Sequence, residues 1–463
     1  MKGFYDKGYW KEGVAMTCSQ TLAEYIVGLE FGGLPEKTVL KVKHSFADWF
    51  AAVFASRSAA LSDKYVAFAV AMGGDGSASI IGREERTSFS WAAFANGCLG
   101  HIEEVDDGHR MSIMHIGTVV LPVVFAYAEK LGVSGKRMME AAVCGYELAI
   151  RAGECLGKDH YTRWHATSTA GTFGAAAAAA KMLGLDAESA MHALGHAGTQ
   201  ASGLWQFLLD GAVDAKPFHP GKAAFNGILA AELALRGVKG ACRIFEGEKG
   251  FCRSTSSGYR LEFLTESLGD VFKIDETNFK GYPTCGQTHS MIDALKKIIA
   301  ARALAPEEIE RIEARVYGKA VEVAGIESPS SLEEAKFSNA FCMAAVVVKG
   351  DITFSNLSGN DLLDPRIRSL MSKIRLVVDP ELEKLFPACR PCEITVFLKD
   401  GSELRSENRF RKGDPENPMD RRAIREKFEA LTERVLEKNV REGVLEWTYD
   451  LERMDAFSCF PWK

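Results

Sequence analysis

No stretch of this chain is long and apolar enough to cross a bilayer. The nearest candidates are Val119 to Ala128 and the alanine run 175–180, which ends at Lys181; both fall short of the roughly 20 residues a helical span needs, so no membrane partner is expected. The opening segment, MKGFYDKGYWKEG, is polar and aromatic, with neither a continuous apolar core nor a small-residue cleavage site, so no secretory signal is expected. An excess of positive charge is also missing. Against 56 Lys and Arg stand 62 Asp and Glu, a formal net charge of -6, so no global field draws in nucleic acid, and none is expected as a partner. Any anionic substrate must instead be held by cations concentrated in one place. The eleven cysteines lack the spacing of a disulfide-stapled secreted domain, which points to reduced thiols and a cytoplasmic location. Cys389 and Cys392 form a lone CxxC with no second pair to complete a zinc site, and it runs straight into strand-like EITVFL; packed cysteines are the expectation there. Internal repeats are absent.

What the chain does contain is helix after helix. Its 463 residues exceed the size of a usual single core. Pro35 opens a segment in which Val39, Phe46, Phe50 and Val53 recur near helical spacing, and Ser134 is placed to cap the helix carrying Met138, Ala142 and Leu148. Residues 169 to 203 are dominated by Ala and Gly, with six consecutive alanines. Such small residues let helices approach closely and predict a tightly packed helical centre. Near Asp275 the texture changes. After one more amphipathic helix, with Met291, Leu295 and Ile298 on one face, alternation appears in IEARVYGKAV, KIRLVV and EITVFLKDGSELRS. Asp400-Gly401 predicts a two-residue type I′ hairpin turn. Helical spacing returns at Ile424, Phe428, Leu431 and Val435, and the charged stretch from Arg409 to Arg422 reads as a solvated connection. The fold class predicted is mainly α: a large all-helical domain over residues 1–274, completed by 404–463, and a smaller α+β lid domain over 275–403.

Four polar clusters interrupt this apolar pattern. HIEEVDDGHRMSIMHIG, residues 101 to 117, gathers Glu103, Glu104, Asp106 and Asp107 with His101, His109 and His115. Carboxylates and imidazoles are metal ligands, but the spacing matches neither HExxH nor an EF-hand loop, and a solvated acidic turn is the bland alternative. In RWHATSTAG, His165 precedes small and hydroxylated residues that look like a helix start; a packed core histidine is the competing reading. DAKPFHPGKAAFNG places Lys216 and His219 at another helix entrance, where free amides and the macrodipole favour anions. In FKGYPTCGQTHSMIDAL, Lys280, Tyr282, Cys285 and His289 crowd the turn before an amphipathic helix. A thiol-nucleophile reading of Cys285 with His289 lacks the usual surroundings of such a site.

Taken in order, these segments resemble one family. NGxxxH with (D/E)xDD, a His closing that loop, GYE, WHxT, KPxHxG with AAxxG, EGxxGF and KxYPxC…H…DA follow the sequence of motifs of MmgE/PrpD proteins. In this chain they run from Asn96 through Tyr146, His165, Lys216 and Gly250-Phe251 to Asp293, and AKFS at 335–338 continues them. The resemblance implies a helical domain with an α+β lid, a homodimer, no metal and no cofactor. Its known members include 2-methylcitrate dehydratase, cis-aconitate decarboxylase and iminodisuccinate epimerase, which share a proton moving at a carbon next to a carboxylate. It also implies site residues: Glu104, Gly108, His115, His165, Lys216, Lys280 and Cys285. Glu104 stands where many members have Asp, and Gly108 where they have Thr. Cys285 matches the dehydratase-like YPxC form, where the decarboxylase form carries His, and the tyrosine that decarboxylases supply from the lid has no counterpart near Val321.

The chemistry those residue types suit is removal of a proton beside a carboxylate, where cations must hold the anion as charge develops. Lys216 and Lys280 are the candidate cations, His115 and His165 the acid and base, and Glu104 a residue that orients an imidazole. Cys285, His219, His289 and Gly108 complete the expected substrate-binding set. The function expected is that of a lyase on a small di- or tricarboxylate, 2-methylcitrate dehydratase-like, with epimerisation of an amino- or iminodicarboxylate or cis-aconitate decarboxylation as alternatives. A ligand binder that has lost catalysis is a further alternative from another class; it would leave the substrate's α-proton in place.

Overall fold

The computed structural model describes residues 16–74, 76–457 and 460–462. The chain divides into two compact units. The first comprises the chain up to Glu103, Met111–Asp275 and the segment from Val435 onward; the second comprises Glu104–Arg110 and Glu276–Arg434. Helix predominates in the first and a mixed sheet is confined to the second. Among the described residues no helix is long and apolar enough to cross a membrane.

The first unit is built around the helix Ala166–Leu183, which is buried along nearly its whole length. Long helices Gly135–Tyr161, Phe218–Leu235, Gly117–Leu131 and Ala187–Gln200 pack against it. Its composition explains how one helix can be enclosed on so many sides. The side chains from Ala175 to Ala180 are a single methyl each and essentially inaccessible, so neighbouring backbones come close. A Cβ on Gly174 would lie 2.5 Å from the Gly145 carbonyl oxygen, and one on Gly227 would lie 2.3 Å from the Ala175 methyl. The predicted close-packed centre is therefore present, and contact is made by backbone and methyl groups rather than by interdigitated large side chains. The Ser134 cap forms, accepting from Arg137 N at 3.3 Å. Helix Glu36–Ala55 follows Pro35 and buries Phe46, Phe50 and Val53. The last helix, Lys438–Tyr449, brings Trp447 edge-on to Phe50 at 6.0 Å, and Phe460 packs tilted against Phe50 at 4.5 Å, tying both into this aromatic core.

The second unit carries a four-stranded sheet in the order Ile374–Val378, Ile309–Val316, Cys392–Leu398, Glu403–Asn408, with the first pair parallel and the others antiparallel. Cys392, Ile394, Val396 and Leu398 face inward in strict alternation, joining Met291, Leu295 and Ile298 of helix His289–Ala301 in one core. Two details differ from the sequence reading. The hairpin exists, but Gly401 N bonds Leu398 O at 3.0 Å and Leu398 N bonds Ser402 O at 2.9 Å, while only Gly401 has positive φ, at 87°. The loop is thus a turn followed by a left-handed glycine, a three-residue solution in which Asp400 avoids the strained conformation that a type I′ turn would impose on it. The helix Arg421–Thr432 ends before Val435, so that residue lies outside the face formed by Ile424 and Phe428.

Candidate active site

In the first unit four imidazoles form a chain. His101 occupies the last turn of helix Phe89–Ile102 and is inaccessible to solvent; its ring centre is 4.7 Å from that of His115 and 6.4 Å from that of His165. His165 continues the line to His219, ring centres 5.1 Å apart, with Nδ1 of each at 2.9 Å from the other. These positions follow from local structure. His165 is the residue before the first turn of helix Ala166–Leu183, and its amide bonds Gly203 O at 2.9 Å, which pins the loop around it. The His115 amide bonds Thr167 Oγ1, in that same first turn, at 3.1 Å. His219 sits in the first turn of helix Phe218–Leu235, directly after Lys216 and Pro217. Both helix entrances expected from the sequence are present, and their histidines, His165 and His219, come together with His115 and His101 from the 101–117 segment.

A bond between two Nδ1 atoms constrains the protons. One nitrogen must donate and the other accept, so neutral His165 and His219 carry opposite tautomers, and one of them leaves an unshared pair on Nε2. Burial, reinforced by His219 and by the Lys216 ammonium, pushes the His165 pKa well below its ordinary value. Burial and Lys222 lower that of His219 to about 4. Both rings are therefore neutral near pH 7, the state in which an imidazole takes up a proton rather than gives one. Lys216 is felt electrostatically by both rings, which places a cation beside the proton acceptors. Trp205 was not legible as a site residue. Its ring lies 4.4 Å from that of His165, and its indole Nε1 is buried without a hydrogen-bond acceptor among the described residues. A tryptophan in a short helical turn carries no sequence signal for such a role.

The remaining candidates lie in the second unit. Glu104 adopts a left-handed backbone, φ 54°, and its carbonyl oxygen accepts from Lys280 Nζ. Gly108 pairs through its backbone with Asn278 in both directions, at 2.9 and 2.8 Å, so its own amide and carbonyl are committed to that bridge. The Cys285 amide donates to Lys336 O at 2.9 Å. His289 opens helix His289–Ala301; its Nε2 lies 3.0 Å from Thr284 O, and burial, with Arg411 and Lys280 nearby, holds its pKa well below the ordinary value. Tyr282 donates to Asp293 at 2.5 Å and is packed in the core. The expected solvated connection from Arg409 to Arg422 is corrected here. Arg411 and Asp414 are both buried and form a forked pair, Nη2 to Oδ1 at 2.6 Å and Nε to Oδ2 at 3.2 Å. Mutual neutralisation three residues apart lets a charged segment enter the interior. Cys389 and Cys392 are buried free thiols.

Residues 20–264 match the family model for the MmgE/PrpD N-terminal domain and residues 282–451 that for the MmgE/PrpD C-terminal domain. The chain is 29% identical over 456 residues to cis-aconitate decarboxylase of Homo sapiens, covering 95% of this chain and 93% of that protein. It is 28% identical over 455 residues to cis-aconitate decarboxylase of Mus musculus, covering 95% and 92%. A cis-aconitate decarboxylase of Aspergillus terreus is 25% identical over 452 residues, covering 92% and 91%.

Proposed function

This chain belongs to the MmgE/PrpD family, and on that premise we propose that it is a lyase acting on a small di- or tricarboxylate, with proton transfer at a carbon beside a carboxylate. The observation that carries the reading is the line of imidazoles ending at the buried, neutral pair His165 and His219, with Lys216 beside it. Apolar packing gains nothing from four histidines in ring contact; a site that moves protons does. In this reading His165, held neutral, serves as base through the pair His165–His219. His115, at the more exposed end of the line, returns a proton to carbon or to a leaving hydroxyl. Lys216 compensates the carboxylate charge as it grows, and the Trp205 indole offers a further donor to a substrate oxygen. Lys280, Cys285 and His289 are proposed as substrate-binding residues of the second unit, with Glu104 fixed by Lys280 as their support.

Full-length relatives named for cis-aconitate decarboxylation favour loss of a carboxylate as the first reaction to test. There the C–C bond to one carboxylate breaks, CO2 leaves, and the electron pair left behind takes a proton from a protonated imidazole, the imidazolium of His115, which solvent then reprotonates. Dehydration is the second reading, favoured by Cys285 at the position where the decarboxylase form carries His. Proton NMR in heavy water, with cis-aconitate, 2-methylcitrate and iminodisuccinate supplied in turn and a chelator present, distinguishes them. Decarboxylation yields CO2 and a product carrying solvent deuterium; dehydration yields an alkene without loss of carbon; epimerisation exchanges the α-proton alone. If none of the acids reacts or exchanges, the lyase reading fails. We further propose a cytoplasmic homodimer; sedimentation as a monomer at micromolar concentration would remove the dimer.

A further inference from the structure

In the second unit the half-buried guanidinium of Arg390 has no counter-ion in salt-bridge contact among the described residues. Arg390 lies between the two thiols of the CxxC segment, immediately before strand Cys392–Leu398. Its backbone is anchored: its amide donates to Arg409 O at 3.3 Å and its carbonyl accepts from Ser290 Oγ. Its side chain is treated quite differently. Among the described residues no carboxylate pairs with it, and its Nε is sealed from solvent without a hydrogen-bond partner. The nearest face it meets is the Phe386 ring, 6.0 Å from the guanidinium carbon, at the outer limit of a cation–π contact. Phe386 in turn stacks on Tyr317 at 4.8 Å, and the Tyr317 hydroxyl donates to Gln287.

Asp414, the carboxylate whose charge Arg390 senses, is already engaged by other groups. Asp414 accepts from Nε and Nη2 of Arg411 and from its amide, and Arg110 Nη1 stands 3.7 Å from Oδ2. Arg411 is further fixed by a bond from Nη1 to Gly286 O at 3.2 Å. Burial and the charge of Arg411 push the Arg390 pKa down to about 10, against the weaker opposing pull of Tyr317, Asp414 and Cys285. Arg390 is only half-buried, yet its sealed Nε lacks a partner; a guanidinium partly withdrawn from water with one donor unmet gains from a ligand that supplies an acceptor and the missing charge. Cys285 and its neighbours on the 284–289 turn belong to the set proposed for substrate binding, so Arg390 borders that set from the CxxC side.

We infer that Arg390 is a carboxylate-binding residue, presenting a planar guanidinium to one carboxylate of a small polycarboxylic acid, with Arg411 as the positioning residue that Asp414 holds in place. The fork of a guanidinium matches both oxygens of a carboxylate, which a lysine at the same position cannot do. The choice of carboxylate over other anions rests on the lyase reading. The source of that carboxylate is either the reacting molecule or a separate acid bound to the second unit.

The test uses full-length protein and tricarballylate, a tricarboxylate without a double bond or hydroxyl, followed by calorimetric titration. Arg390→Gln should weaken tricarballylate binding at least tenfold, and Arg390→Lys should recover only part of it. Removing an uncompensated cation should also leave the ligand-free protein as stable as before or raise its thermal midpoint, which loss of a structural arginine would not do. A raised KM for the reacting acid assigns the carboxylate to the substrate; an unchanged KM with weakened tricarballylate binding assigns it to a separately bound acid. Unchanged tricarballylate binding, a lowered thermal midpoint in Arg390→Gln, or tighter binding of inorganic phosphate than of tricarballylate overturns the inference. His165→Gln separates this from the lyase reading: binding that persists without turnover in that variant keeps the arginine site apart from the proton chemistry, and loss of the lyase reading leaves the titration standing.

Discussion

Replacing His165 by Gln should lower turnover of the reacting acid at least 100-fold while leaving the protein folded, and His115→Gln should lower it at least tenfold, the range over which positioned acid–base groups act. His165 is expected to show the larger effect because it combines three properties. It is buried, it is held neutral, and its Nδ1 is engaged by His219 at 2.9 Å. Gln preserves the volume of the ring and a polar atom near its far nitrogen but cannot take up a proton at neutral pH. The loss should therefore fall on kcat, with tricarballylate affinity changed by no more than a few-fold. Steady-state rates and circular dichroism of both variants check this. Turnover within tenfold of the wild type in both would remove the imidazole line from the chemistry.

Acid should unfold this protein early. His160 and His219 both have pKa values lowered to about 4 from the ordinary 6.5, chiefly by burial. For His160, Nδ1 faces Thr255 O at 3.2 Å and Nε2 faces Thr169 Oγ1 at 2.8 Å, so the ring is bonded at both ends in its neutral form. The unfolded chain takes up a proton on each near pH 6.5, while the folded chain declines it until about pH 4. Between those values the unfolded state binds more protons, so stability is fully present above 6.5 and falls as pH drops through the window. At pH 5 each ring should cost about 2 kcal/mol, roughly 4 kcal/mol together. His165 and His289, pushed lower still by burial, add to the trend. Urea denaturation at pH 7 and pH 5 measures the drop, and His160→Gln should remove about half of the part due to these two rings. Equal stability at the two pH values would contradict the neutral, buried state assigned to them.

How far the sequence could lead is clearest residue by residue. His165, Lys216 and His219 were legible because a polar residue ahead of a run of small, helix-forming residues marks a helix entrance, and both helices begin there. The alanine run pointed to close packing for the same local reason. His101 was visible only as one member of an acidic turn, because its partners His115 and His165 are 14 and 64 positions away and ring contact between them is a property of the fold. Arg390 and Arg411 were hidden more deeply. A CxxC draws attention to its sulfurs and away from the arginine between them, and a charged segment with two prolines reads as solvated until Arg411 is seen gripping Asp414. The hairpin at Asp400-Gly401 was located correctly, yet its loop type depends on register, which the dipeptide alone does not specify.

The methyl layer from Ala175 to Ala180 has a consequence for the histidine at the head of that helix. Alanine has no χ angles to freeze or to hop between, so assembling this layer loses no side-chain rotational entropy and leaves no rotamer through which it can later yield. The rod that carries His165 is thereby rigid without having to be ordered piece by piece, and thermal jitter at its far end has little means of reaching the imidazole.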